Sequence, residues 1–153
     1  MDSSRERAAI LNCVVDTSVV LKWFLPENDS DEAEKLLRAF LSGAIGLYAP
    51  DLLLVEAASA LWRRTVVRAE LPLADAKSIY RDLLTLPLNL QPSDRLAAAA
   101  FSLALTHRHS AYDAFYCALA AEMDCEMVTA DRSLVSKLAP TLPFIRHISA
   151  MNL

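Results

Sequence analysis

Four carboxylates stand where an α/β chain can do chemistry: Asp16, Glu56, Asp113 and Asp131. Asp16 ends the apolar run Cys13-Val14-Val15, which reads as a buried strand, and the hydroxyl residues Thr17 and Ser18 follow it. Asp131 repeats that arrangement after the strand expected over Glu126 to Thr129. Ligands of open α/β sheets bind beyond the carboxyl ends of the strands. A helix N-cap accounts equally well for either Asp taken alone. Glu56 sits one helical turn from Leu52, Leu53, Ser59 and Ala60, so its stripe faces the protein. An unpaired buried carboxylate is costly, and Glu56 therefore needs a base such as Arg63, or a metal. Asp113 follows Ser110 by three residues, the spacing of a capping box, which also sets its carboxylate at a helix start.

Taken together, the four ask for one explanation. Two unit charges about 4 Å apart repel by roughly 4 kcal/mol at an effective dielectric near 20. Crowded carboxylates are therefore unfavourable without a cation. Oxygen ligands with retained waters suit Mg²⁺ or Mn²⁺. Such an ion lowers the pKa of a bound water and stabilises charge on a phosphate.

The elements that must position these residues alternate between strand and helix. Val19 to Leu25 reads as a short helix stopped by Pro26. Glu27 to Glu34 holds five acids in eight residues and reads as a solvated loop leading into the acidic first turn of a helix that ends at Ser42-Gly43. A strand over Gly46 to Ala49 closes at Pro50, and Asp51 caps a long helix from Leu52 to about Arg68. A helix follows Pro72, then a short edge strand over Leu86 to Leu90 despite Pro87. Ser93 caps a helix over Leu96 to Leu105, and Ser110 caps the helix that carries Asp113. A helix over Asp131 to Leu138 and a strand over Phe144 to Ile148 complete the chain. This alternation implies a mostly parallel sheet with helices on both faces.

The 153 residues suit one domain with a substantial core, preceded by a polar extension over residues 1–10. Apolar residues make up 54% and glycines number two, which disfavours disorder. No run is long enough to span a bilayer, so a cytoplasmic protein is expected. Cys13, Cys117 and Cys125 form no CxxC pair, which argues against disulfides and a zinc site. His107 and His109, near a helix end, have no matching Cys/His partners and do not suggest a metal. The net charge of −4 disfavours a broad basic nucleic-acid surface. Setting four metal-binding acids aside leaves 15 of the 19 acids against 15 bases. Eleven of those bases are Arg, suited to phosphate, so composition permits a nucleic-acid substrate without demanding one.

Val14-Val15-Asp16-Thr17-Ser18, Glu56, Ser110-Ala111-Tyr112-Asp113-Ala114 and Val128-Thr129-Ala130-Asp131, in this order, resemble the PIN-domain family, and most closely its VapC-type toxin ribonucleases. The resemblance runs from about Cys13 to Ile148 and departs at Met123-Asp124-Cys125, where relatives often carry a Gly before the fourth strand. It implies an α/β/α sandwich with about five strands and Mg²⁺- or Mn²⁺-dependent RNA hydrolysis. It also implies homodimers and inhibition by a cognate antitoxin. Asp16, Asp113 and Asp131 would bind metal directly or through water, and Glu56 would bind metal or orient the attacking water. Thr129 joins them, and Thr17 or Ser18 would support a carboxylate or a metal-bound water. Arg63, Arg64 and Arg132, with Arg68, are candidates for RNA phosphates, although a solvated helix face explains them too. Trp23, Phe24 and Trp62 would line an antitoxin groove, or belong to the core or a dimer interface.

Three other readings compete. A haloacid-dehalogenase-like phosphohydrolase also has a strand-end Asp, but it needs a second Asp two residues on, where this chain has Ser18. A PIN-fold protein that binds RNA or a partner without cutting would keep the fold alone. A purely structural α/β domain would use every carboxylate as a cap.

Overall fold

The computed structural model describes residues 10–153; residues 1–9, most of the polar extension, lie outside the described residues. Five strands, β1 (Leu11–Val15), β2 (Ile45–Pro50), β3 (Asn89–Gln91), β4 (Glu126–Thr129) and β5 (Ile145–His147), form one sheet. Its order is β3-β2-β1-β4-β5, and every neighbouring pair is parallel. The helices are α1 (Thr17–Lys22), α2 (Ser30–Leu41), α3 (Leu53–Trp62), α4 (Leu73–Thr85), α5 (Ser93–His107), α6 (Ala111–Met123) and α7 (Arg132–Leu138). The chain runs from β1 outward to β3, then returns to β4 and on to β5. Right-handed crossovers therefore put α1 to α4 on one face of the sheet and α5 to α7 on the other. The result is a three-layer α/β/α sandwich.

β1 is central, and Cys13, Val14 and Val15 are fully buried because helices cover both faces. That is why its sequence is a continuous apolar run rather than an alternating one. The strand order reverses between β1 and β4. Such a switch point opens a crevice beyond the strand ends, and Asp16 and Asp131 are delivered to it.

Several boundaries differ from the sequence reading, each for a local reason. The edge strand is Asn89–Gln91, starting three residues later than expected and ending one later; Pro87 lacks the N–H a ladder needs and stays outside it. The long helix breaks into α3 and a π-helical turn, Arg63–Val67, in the same run. α5 begins at Ser93 rather than Leu96.

Asp51 and Ser93 cap reciprocally rather than each on its own helix. The Asp51 carboxylate accepts from the Ser93 N–H at 3.1 Å, and the Ser93 hydroxyl accepts from the Leu52 N–H at 3.2 Å. The pair fastens the start of α3 to the start of α5. Trp23 and Phe24 pack against the core, and the Trp23 indole donates to the Ala33 carbonyl at 2.7 Å; Trp62 is exposed.

Asp124, where relatives often carry Gly, ends α6 in the left-handed region at φ 51°. A Cβ there is disfavoured, and Asp is among the few residues that tolerate it. Asp124→Gly is expected to raise stability by up to about 1 kcal/mol in urea unfolding, the strain relieved exceeding the entropy a glycine adds to the unfolded chain. A lower unfolding midpoint would contradict this.

Candidate active site

Asp16 is only 6% exposed, and four donors hold its carboxylate. Oδ1 accepts from the Ser18 N–H at 3.1 Å, the Ser18 hydroxyl at 2.5 Å and the Val19 N–H at 3.4 Å. Oδ2 accepts from the Thr129 hydroxyl at 2.7 Å. The residue thus ends β1, caps α1 and is tied to the end of β4. The Ser18 hydroxyl also accepts from the Ala130 N–H at 2.9 Å, a second tie between the same two strand ends. Burial pushes the Asp16 carboxyl up to about 6; the hydrogen bonds from Ser18, Thr129 and Val19 oppose the shift, and the Asp113 charge adds to it.

Glu56 projects from α3 as its apolar stripe requires. Its pKa is raised by burial, the neighbouring Tyr116 hydroxyl opposes the rise, and the charges of Asp113 and Asp16 reinforce it. Its Oε1 is buried with no hydrogen-bond partner. Arg63 does not pair with it; the Arg63 guanidinium donates to the Ser59 hydroxyl at 3.0 Å instead. Tyr116 was not singled out by the sequence reading. It is fully buried, shares a 2.9 Å hydrogen bond with the Thr17 hydroxyl and backs the site from below. Thr17 is therefore turned to Tyr116 rather than to a carboxylate. The spacing of Tyr116 three residues after Asp113 is the signal that places both on one face of α6.

Asp113 does not take part in a capping box, since the Ser110 side chain makes no cap hydrogen bond. Its Oδ2 instead lies 2.7 Å from His109 Nε2. His109, four residues earlier, was read only as a residue near a helix end; α5 stops at His107 and leaves it free to turn back.

Asp131 stands apart from the other three. It is exposed, and its Oδ1 accepts from the Leu134 N–H at 3.1 Å, capping α7. Its N–H donates at 3.0 Å to the Thr129 hydroxyl that holds Asp16, so it joins the group through Thr129. Of the basic candidates, Arg63 lines the cleft. Arg64 pairs with Glu27, which also holds Lys22 at 3.1 Å; Arg132 pairs with Asp29 at 3.4 Å, and Arg68 with Glu70 at 4.0 Å.

Glu56 and Asp113 edge a cleft of about 540 Å³, which Asp16 reaches only through its neighbours Thr17 and Ser18 and which Asp131 does not line. α3 presents Val55, Glu56 and Ser59, and the π-helical turn after it presents Arg63; α6 and its lead-in present Ser110, Tyr112 and Asp113; α1 presents Thr17 and Ser18. The donors are oxygens, and Glu56 Oε1 is a buried acceptor without a donor, so the residue types fit a hard divalent cation. Among the described residues, no three His, Cys, Asp or Glu side chains stand close enough to enclose an ion as they lie.

A parallel five-stranded sandwich with strand-end acids at its switch point defines the class of protein. The PIN-domain family model matches residues 13–138, and the chain belongs to that family. It is 32% identical over 132 residues to "Ribonuclease VapC3" of Pyrobaculum aerophilum, covering 83% of this chain and 95% of that relative, which places it with the VapC type. The crystal structure of PAE2754, also from Pyrobaculum aerophilum, superposes with a TM-score of 0.62 over 91% of this chain and 92% of the other at 20% identity, which shows the shared fold. The haloacid-dehalogenase reading falls with the family assignment.

The sign of the Asp16 shift gives a test in metal-free protein. A carboxyl raised from 3.8 to about 6 on folding stabilises fully below the lower value and loses that contribution as pH rises through the upper one. Asp16→Asn has no charge to bury. Its melting temperature relative to wild type is therefore expected to be higher at pH 8 than at pH 4, by a few degrees. An equal difference at both pH values would contradict the burial of a charged Asp16.

Proposed function

We propose that this chain is a Mg²⁺- or Mn²⁺-dependent endoribonuclease, the toxin of a type II toxin–antitoxin pair. The observation that carries the reading is the buried Asp16 and half-buried Glu56 under the charge of Asp113, with the buried Glu56 Oε1 lacking a donor. The name of the similar ribonuclease from Pyrobaculum aerophilum supports the RNA substrate and the toxin role. Asp16, Glu56 and Asp113 would hold the ion, and Asp131 would reach it through water. When bound, the metal supplies an acidified water and neutralises charge on the phosphate.

The remaining work falls to the chain itself. Ser18, Val19 and Thr129 fix both oxygens of Asp16, and the lone pair of Oδ2 that Thr129 leaves free stays aimed in one direction. Glu56 Oε1, with no donor of its own, orients the attacking water and accepts its proton. Arg63, without a carboxylate partner among the described residues, meets an RNA phosphate at the cleft mouth. Arg64 and Arg132 contribute only by leaving Glu27 and Asp29.

The chain acts as one PIN-like domain, as a homodimer in the cytoplasm, and is silenced by a cognate antitoxin. Among the described residues, no helix is long and apolar enough to cross a membrane. The position of Asp131 outside the buried group favours a second reading, a PIN-fold protein that binds RNA or a partner without cutting it.

One assay separates the two. Purified protein is incubated with a panel of RNAs and Mn²⁺, with and without EDTA, beside Asp16→Asn. Cleavage that EDTA abolishes and that falls roughly 100-fold or more in the variant is expected. Cleavage indifferent to both would overturn the metal-nuclease mechanism, and RNA binding without any cleavage would favour the second reading.

A further inference from the structure

We propose that Tyr112 and Val55 form a nucleobase subsite beside the carboxylates, which receives an unpaired base of the RNA next to the phosphate that Arg63 meets. The inference rests on the nuclease reading above and names the form of substrate that site takes. Tyr112 is 66% exposed and Val55 70% exposed, and both line the cleft that holds Glu56 and Asp113. A single exposed aromatic is ordinary on a protein surface. Three features set this one apart.

The first is position. Tyr112 directly precedes Asp113 at the start of α6, so the backbone of a 13-residue helix fixes its distance from the reacting carboxylates. Among the described residues its hydroxyl makes no hydrogen bond that would tie the ring to the protein. The second is a neighbouring apolar surface. Val55, on α3, lines the same cleft and exposes an aliphatic side chain. A flat base that stacks on the ring and touches this side chain withdraws apolar surface from water. The third is what lies beside this apolar pair. Ser59 follows Val55 on α3 and Arg63, the first residue of the π-helical turn, follows Ser59, each at a four-residue interval, and all three line the cleft. The row therefore passes from apolar to hydroxyl to cation, and a nucleotide has the matching order of base, sugar and phosphate.

Bases inside a duplex are stacked on one another and cannot enter such a slot. Single-stranded segments present splayed bases, which proteins read by stacking them on aromatic rings. Stacking is tolerant of base identity, so Tyr112 positions the strand and selects for unpaired RNA. It contributes no group to the bond-breaking step.

The test uses the full chain carrying Asp16→Asn, so that RNA remains uncut, alone and combined with Tyr112→Ala or Tyr112→Phe. Three fluorescein-labelled probes are titrated: a short single-stranded RNA, the same RNA as a duplex, and a fully abasic strand of equal length. Tyr112→Ala is expected to weaken binding of the single strand by about 5- to 150-fold, the range measured for loss of one stacked base. Tyr112→Phe, which keeps the ring, should stay within roughly twofold of the parent. Neither change should alter binding of the duplex or the abasic strand.

Equal binding of single-stranded RNA by the parent and Tyr112→Ala would overturn the subsite, as would an equal loss on the abasic strand. So would a parent that binds no single-stranded RNA. Cleavage by the wild-type chain is scored separately: a Tyr112 effect without any cleavage sustains the subsite and counts against the nuclease reading.

Discussion

Burying a carboxylate at the end of the central strand is the constraint around which this molecule is arranged. Asp16 loses nearly all its contact with water, and the loss must be offset by donors fixed in place. Those donors come from two strand ends. Ser18 and Val19 follow β1, and Thr129 ends β4. Only a sheet that sets β1 beside β4 in parallel, with their carboxyl ends level, can bring them together. The topology therefore serves the carboxylate as much as the core. The donors do not fully offset the cost, since burial still holds the Asp16 carboxyl near 6.

The same tension extends outward. Glu56 and Asp16 each feel the charge of Asp113, and Glu56 keeps one oxygen without a donor. A folded protein rarely tolerates a buried acceptor without a partner unless something else completes it. Neighbours brace the group from the core side. Tyr116 and Thr17 hold each other beneath Glu56, and His109 holds Asp113 from the loop before α6. The arrangement is stiff where it meets the core and open where it meets the cleft, which suits a site that completes itself by binding a cation.

Much of this was legible in the chain. An apolar run that stops at Asp is a pattern of single residues, so the ends of β1 and β4 could be read directly. Glu56 was conspicuous because a charge interrupts an apolar helical stripe. The reach of Asp131 was not legible: its cap on α7 is local, but its separation from the other acids depends on how the β4–α7 turn leaves the sheet. The partners of Thr17, Asp113 and Arg64 were equally hidden. Thr17 meets Tyr116 across 99 residues and Arg64 meets Glu27 across 37, and no short-range spacing encodes either contact. The reciprocal cap between Asp51 and Ser93 was half visible, because each residue suits a helix start and only the fold decides whose.

The central claim is that a divalent cation relieves the repulsion among Asp16, Glu56 and Asp113. Thermal melting of the wild-type chain at pH 8, with and without Mn²⁺, tests it without recourse to any RNA. At a Mn²⁺ concentration about 100 times the dissociation constant, linkage stabilises by about 2.7 kcal/mol, or roughly 5–10 °C for a chain of this size. The account predicts that rise in the wild type and its loss in the Asp16→Asn/Glu56→Gln double variant. No rise in the wild type, or an equal rise in the double variant, would contradict it.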